Sequence, residues 1–244
     1  MKLRNEAQIL EERKENTMNQ AVIEYGITFI VGLIFGQLVL TLADSFSETN
    51  HFSLKALFHF KKGFLPIFLP LIHAGVWTWV VAVFGISVES ILYCLLTSAL
   101  LTLSIVDLRI YEIPILVNGF ILALGVVRIA TDFSHWYNYV IGFFAVSVFL
   151  YIIVLVTKGR GMGGGDVKLM AVAGVVVGWK LVWVGFLLGC VLGSIIHVIR
   201  MKIEKDKNPM LAFGPYLSLG LFLAVLYGNE LVRWYLHICG MSGY

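Results

Sequence analysis

Two aspartates offer the chemistry this sequence can perform, and glycine surrounds one of them. The stretch GRGMGGGDVKL, residues 159–169, sets Gly159, Gly161, Gly163, Gly164 and Gly165 ahead of Asp166, between two apolar runs. Glycine admits φ > 0 and lets another chain come close. Asp is a favoured N-cap, here for the helix that VKLMAVAG predicts. In a soluble protein this pattern is a flexible loop and a capped helix. At the border of membrane-grade hydrophobic segments, the acid is a functional candidate. The second acid, Asp107, ends the apolar run SALLTLSIV. A carboxylate at a helix C-terminus opposes the helix dipole, so a purely structural reason for Asp107 is weak. Two carboxylates held close together cannot both ionise cheaply, so one keeps a proton while the other stays charged. Such a pair serves one water as general acid and general base, the chemistry of aspartic proteolysis. Lys168, two residues past Asp166, either favours an ionised neighbour, contacts a substrate acid or snorkels to the membrane surface.

Other chemistry finds less support. The glycine run lacks G-x-x-x-x-G-K-[ST], which excludes a nucleotide P-loop. The six histidines lack metal-ligand spacing and the Ser residues lack a hydrolase elbow. Cys94, Cys190 and Cys239 stand alone in apolar sequence and read as structural thiols, without a metal site or disulfide framework. Net charge is +3 and gives no pointer to nucleic acid.

The elements that must position these residues are membrane spans. Of 244 residues, 59% are hydrophobic and 14% charged, against about 25% charged in soluble domains. The class is therefore all-α and polytopic. Residues 1–20 form a polar tail of mixed charge, with no cleavable signal peptide expected. A first span covers about 21–42, long enough for the roughly 20 residues a bilayer needs, and a polar loop follows to Lys62. Further spans cover about 63–84 with a kinked start at Pro66 and Pro70, then about 89–106, 113–129 and 139–156. Val167–Trp179 is short and suits a short helix or re-entrant element. Spans at about 181–199 and 209–227 follow, and residues 230–244 read as a short interfacial segment. The total is about seven or eight membrane-crossing elements. They divide into the tail, a first span with its loop (21–62), and a transmembrane core (63–244). Gly185, Gly189 and Gly193 recur at the spacing of tight helix packing.

Lys and Arg concentrate on cytoplasmic loops. With the N-terminus outside, alternate loops carry Lys55, Lys61, Lys62, Arg109, Lys158, Arg160, Arg200, Lys202, Lys205 and Lys207. The opposite side holds Arg128, Lys180 and Arg233, with the tail's own basic residues arguing the other way. The loops outweigh the tail. This orientation puts Asp107, Glu112 and Asp166 at cytoplasmic ends of packed spans, so an aspartate dyad facing the cytoplasm is expected.

Several segments, in order, resemble the type IV prepilin peptidases, membrane-embedded aspartic proteases of the GxGD class. LTLSIVDLRIYEIP resembles that family's first catalytic segment, with an Asp at a span end ahead of an Ile-Pro. GMGGGDVKLMAVAGVVVG resembles the second, with Gly163–Asp166 as its GxGD motif. LAFGPYLSLG, 211–220, resembles its FGP segment, and GLIFGQ, 32–37, faintly echoes its N-terminal span. The resemblance implies that Asp107 and Asp166 are catalytic. Gly163, Gly164, Gly165, Lys168, Pro114, Phe213, Gly214 and Pro215 become site-shaping candidates, and no metal takes part. It implies hydrolysis after a Gly, releasing a positively charged leader from prepilins or pseudopilins in the cytoplasmic membrane. No cofactor is implied for proteolysis, and S-adenosylmethionine only if the new N-terminus, usually a Phe, is methylated. The chain departs from the family pattern in three places. Residues 43–63 lack the two CxxC pairs of many bacterial members, Gly36 leads QLVL rather than SFLN, and Ile115 stands where an acid usually follows the Pro. The competing readings are a proton- or cation-coupled transporter, a pilus-assembly scaffold and a presenilin-like GxGD protease. The single glycine break and the lack of an internal repeat disfavour transport; the FGP segment disfavours the presenilin-like group.

Overall fold

The structure, a computed structural model, describes residues 2–49, 65–159, 162–204 and 211–240. The loop expected without a Cys tetrad lies largely outside the described residues, as do Arg160 and Gly161 of the glycine run. The elements run α1 (Lys2–Thr49), α2 (Leu65–Phe84), α3 (Val88–Ile110), α4 (Ile115–Thr131), α5 (Trp136–Ala145), α6 (Ser147–Thr157), α7 (Gly164–Val177), α8 (Trp179–Glu204) and α9 (Gly214–Ile238). A 3-10 turn, Phe133–His135, leads into α5. No strand occurs among the described residues. Six helical segments are long and apolar enough to cross a membrane: 18–47, 67–84, 88–110, 133–157, 179–203 and 214–238. The apolar α4 is shorter, at 17 residues, and α7 has 14. The chain is an all-helical integral membrane protein.

Helix ends differ from the sequence reading where no breaker intervenes. The tail continues α1 without interruption, because its first 25 residues contain neither Gly nor Pro and favour helix. The C-terminal segment likewise extends α9 to Ile238. The expected fifth span is divided at Val146 into α5 and α6, yet the rod persists: the Leu150 N–H donates to Val146 O at 2.9 Å. The Ser147 hydroxyl bonds Phe143 O at the same break.

Apolar helices in lipid gain little by hiding apolar surface from one another, so small residues that admit close backbones decide the packing. A Cβ at Gly142 of α5 would lie 2.2 Å from Gly174 O of α7. On α8, Gly185 and Gly189 meet the backbone of Leu221 and Leu217, and a Cβ at Gly220 of α9 would lie 2.3 Å from Gly185 O. Gly32 and Gly36 of α1 abut Ala74 and Pro70 of α2. The expected tight packing at Gly185, Gly189 and Gly193 is thus one of three such seams.

Polar side chains fix the remaining registers. Arg128 of α4 pairs with Glu89 and lies between the Tyr93 and Tyr139 rings, 5.6 and 5.4 Å from their centroids. Buried His73 donates from Nδ1 to Gly32 O, and its Nε2 lies 2.9 Å from Ser98 Oγ. At the other end of the bundle Arg109 pairs with Asp44, tying α3 to α1.

Gly142→Ala should lower the unfolding temperature in detergent, since overpacking against backbone costs about 1–3 kcal/mol or more. Gly119→Ala, whose added Cβ meets nothing within 4 Å, should leave it unchanged or raised. Equal melting of the two variants would contradict the seam.

Candidate active site

Three helix ends converge on Asp107 and Asp166. The first is the C-terminus of α3. A capping box at Ser87 and Ser90 starts this helix, and Tyr111 ends it in the left-handed region at φ 56°, ψ 31°. The Tyr111 N–H donates to Asp107 O at 2.9 Å. Asp107 therefore stands in the last turn of α3, three residues before the helix ends at Ile110, and not at the span end expected from sequence. The chain crosses Glu112 and Ile113 to Pro114, the N-cap of α4. Proline suits a helix entrance because it brings no N–H that would lack a partner.

The second end is the N-terminus of α7. Gly163, not Asp166, is its N-cap. Asp166 falls three residues in, and its N–H donates to Gly163 O at 3.2 Å. A carboxylate in a first turn still faces the positive end of the helix dipole. Gly165 packs on Ile113, where an added Cβ would lie 3.1 Å from the Ile113 Cβ. A side chain at 165 would be tighter there than an ordinary contact, so Ile113 would have to give by a few tenths of an ångström.

The third end is the N-terminus of α9. The Gly214 N–H donates to Asp107 Oδ2 at 2.9 Å, and a Cβ at Gly214 would lie 2.8 Å from that oxygen. A carboxylate badly placed on its own helix is thus well placed on another.

Both carboxylates are buried, with 5% of Asp107 and 7% of Asp166 exposed. They share the wall of one cavity of about 320 Å³ with Tyr111, Glu112, Ile113, Ile115, Asn118, Gly163, Gly164, Gly165 and Lys168. Lys168 is exposed at its rim. Asp166 and Gly163 also border a second, largely apolar chamber of about 360 Å³, which Met162, Phe186, Cys190 and Phe213 help to line. The site candidates from sequence therefore divide. The two aspartates, three glycines and Lys168 meet at one cavity, and Phe213 belongs to the adjoining chamber. Gly214 holds Asp107, Pro114 starts α4, and Pro215 faces a separate pocket beside Ile72 and His73.

Asp166 lies in the first turn of α7, which is not one of the six long apolar spans. Burial pushes its carboxyl up to about 7, and the nearby Asp107 charge pushes the same way. A hydrogen bond from the Gly163 backbone opposes the rise. Its partner acid thus helps to keep the proton on Asp166.

Comparison with known proteins follows the same residues. Residues 94–198 match the type IV leader peptidase family. That stretch contains Asp107, the glycine run and Asp166, and stops short of Gly214. The chain is 32% identical over 155 residues to the prepilin leader peptidase/N-methyltransferase of Bacillus subtilis, covering 63% of this chain and 62% of that protein. A protein of that name from Pseudomonas putida is 32% identical over 157 residues, covering 61% and 54%. One from Pseudomonas aeruginosa is 30% identical over 167 residues, covering 65% and 57%. The matched part therefore spans between 54% and 62% of these three relatives. No solved structure matches the chain.

Sequence reasoning passed over Asn118 and Tyr111 because it searched for acids. The available signal for Asn118 was an amide inside an otherwise apolar helix, four residues after Pro114.

The elevated Asp166 carboxyl sets a pH dependence. Unfolded, the group ionises near its ordinary 3.8; folded, it holds its proton to about 7. Between those values the folded chain binds more protons, so stability falls as pH rises, by at most about 1.4 kcal/mol per unit. Above about 7 the slope from this group vanishes. Melting curves should show this decline in the wild type and a flatter profile in Asp166→Asn; identical slopes would refute the assignment.

Proposed function

We propose that this chain is a membrane-embedded aspartic endopeptidase that removes positively charged leaders from type IV prepilins or pseudopilins. The observation that carries the reading is two buried carboxylates on the wall of one cavity, beside a glycine-walled helix start. The family match over 94–198 and the names of the relatives support the substrate class. The distribution of Lys and Arg supports a cytoplasm-facing site, with the N-terminus outside. Cleavage falls after a Gly, as the family resemblance implies.

In this reading the dyad shares one proton, carried by Asp166 in the resting state. Ionised Asp107, held at Oδ2 by the Gly214 N–H, takes a proton from water. The hydroxide attacks the scissile carbonyl carbon, and Asp166 gives its proton to the carbonyl oxygen. The tetrahedral intermediate is a neutral gem-diol. On collapse, ionised Asp166 takes back a hydroxyl proton, Asp107 passes its proton to the leaving nitrogen, and the C–N bond breaks. The dyad returns to its starting state, as general acid–base catalysis requires. Glycines 163–165 leave room for an extended substrate backbone. The apolar chamber beside Asp166 takes the bulky apolar side chain that follows the cut.

The relatives' names also include N-methyltransferase, a step that needs S-adenosylmethionine. The dyad cavity of about 320 Å³ is the proteolytic site in this reading and is not assigned to that group.

Membranes containing the wild type should convert a prepilin to a product lighter by the leader, read by mass spectrometry. Asp107→Asn and Asp166→Asn should each insert normally and lose cleavage by at least about 10³-fold. Normal processing by either variant would sink the proteolytic reading in favour of a scaffold or transporter. An added methyl mass with S-adenosylmethionine present reports the transferase separately.

Cys190→Phe should fill the apolar chamber. Cleavage of a substrate with Phe after the cut should fall about 10-fold or more, with a smaller effect when Ala stands there. Equal losses for both substrates would place that side chain elsewhere.

A further inference from the structure

Among the described residues, Asn118 is the one side chain at the dyad cavity with a polar atom that is both buried and without a partner. The residue is 5% exposed, and its Oδ1 accepts no hydrogen bond from any described residue. It shares the cavity wall with Asp107 and Asp166. Hydroxyls in this bundle escape the same cost by bonding a carbonyl of their own helix, as Thr102 does to Ser98 O and Ser104 to Leu100 O. Asn118 Oδ1 has no such route, because an amide oxygen is an acceptor and pairs only with a donor. A buried amide oxygen left unpaired costs more than an apolar side chain of the same shape, so the fold alone gives no reason for it. The other described side chains with a buried unpartnered atom, Arg128, His197 and Ser218, do not line this cavity.

We infer that Asn118 is a substrate-binding residue, its side-chain amide pairing with a backbone peptide group of the substrate next to the scissile bond. The chemistry is self-matching. A carboxamide carries one acceptor and a pair of donors, and so engages an N–H and a C=O of an extended chain together. Either orientation of the amide presents the complementary pair. The contact reads backbone rather than side chain, and it comes from the wall that α4 contributes. It would hold the chain between the glycines of the α7 start and the α3 turn. The inference rests on the proteolytic reading of the same cavity.

The test uses the full chain in detergent and a prepilin-derived peptide spanning the cut. Single ester replacements of the flanking peptide bonds remove one substrate N–H at a time. In the wild type, one ester position should lower kcat/KM about 10-fold or more. In Asn118→Leu, kcat/KM for the all-amide peptide should fall about 10- to 100-fold, and the penalty at that ester position should disappear. Asn118→Leu should also unfold at an equal or higher temperature, since it removes a buried unpaired amide oxygen. Asn118→Ala provides the same coupling measurement if Leu overpacks. Unchanged kcat/KM in Asn118→Leu overturns the inference while leaving the protease reading intact. An ester penalty of the same size in wild type and both variants overturns it too. A wild type that cuts no prepilin peptide removes the proteolytic reading, and this assignment with it.

Discussion

The hydrogen bond from the Gly214 N–H to Asp107 Oδ2 is the interaction on which the rest of the site depends. It joins the end of α3 to the beginning of α9, two elements more than a hundred residues apart in the chain. It also resolves an electrostatic conflict. The last turn of α3 presents the negative end of a helix dipole to its own carboxylate, and the first turn of α9 presents a positive end. Asp166 meets a positive end as well, that of α7. Each acid of the pair therefore faces a helix N-terminus, and the repulsion that remains between them is relieved by the proton that burial and Asp107 keep on Asp166.

Glycine makes this arrangement possible by absence of bulk. Gly214 lets the α9 backbone reach Asp107, and Gly165 lets the Asp166 turn rest on Ile113. Farther away, Gly142 with Gly174, and Gly220 with Gly185, bring α7 to α5 and α9 to α8 at backbone distance. These seams locate the two helix starts, and the helix starts locate the acids. Shape complementarity at positions remote from the chemistry thus governs the separation of the carboxylates.

Much of this was legible in the sequence. Long apolar runs declare spans, and Asp107 and Asp166 stood out because charge is rare at the edge of such runs. Their approach was inferred from alternating topology, which orders segments by side but says nothing about distance. The identity of the α7 cap was misjudged at Asp166, because Asp is a strong capping type while Gly163 caps with no side chain at all. The role of Gly214 could be reached only through the resemblance of the FGP segment, since a backbone donor leaves no mark on residue type. Pro215 shared that segment but faces another pocket, because successive residues in a helix point in different directions. The continuity of α1 and α9 escaped hydropathy reading, which marks where a helix leaves the apolar phase and not where it stops being a helix.

The brevity of α7 has a consequence for depth. Fourteen residues at 1.5 Å each make a rod of about 21 Å, against a hydrocarbon core of about 30 Å. An element so short cannot place both of its ends at the surfaces of an undeformed bilayer. At that length α7 falls about 9 Å short of the core thickness, while α8 and α9, which pack against it, are long enough to cross. The start of α7, where Asp166 sits, is therefore an element end that its longer neighbours α8 and α9 outreach.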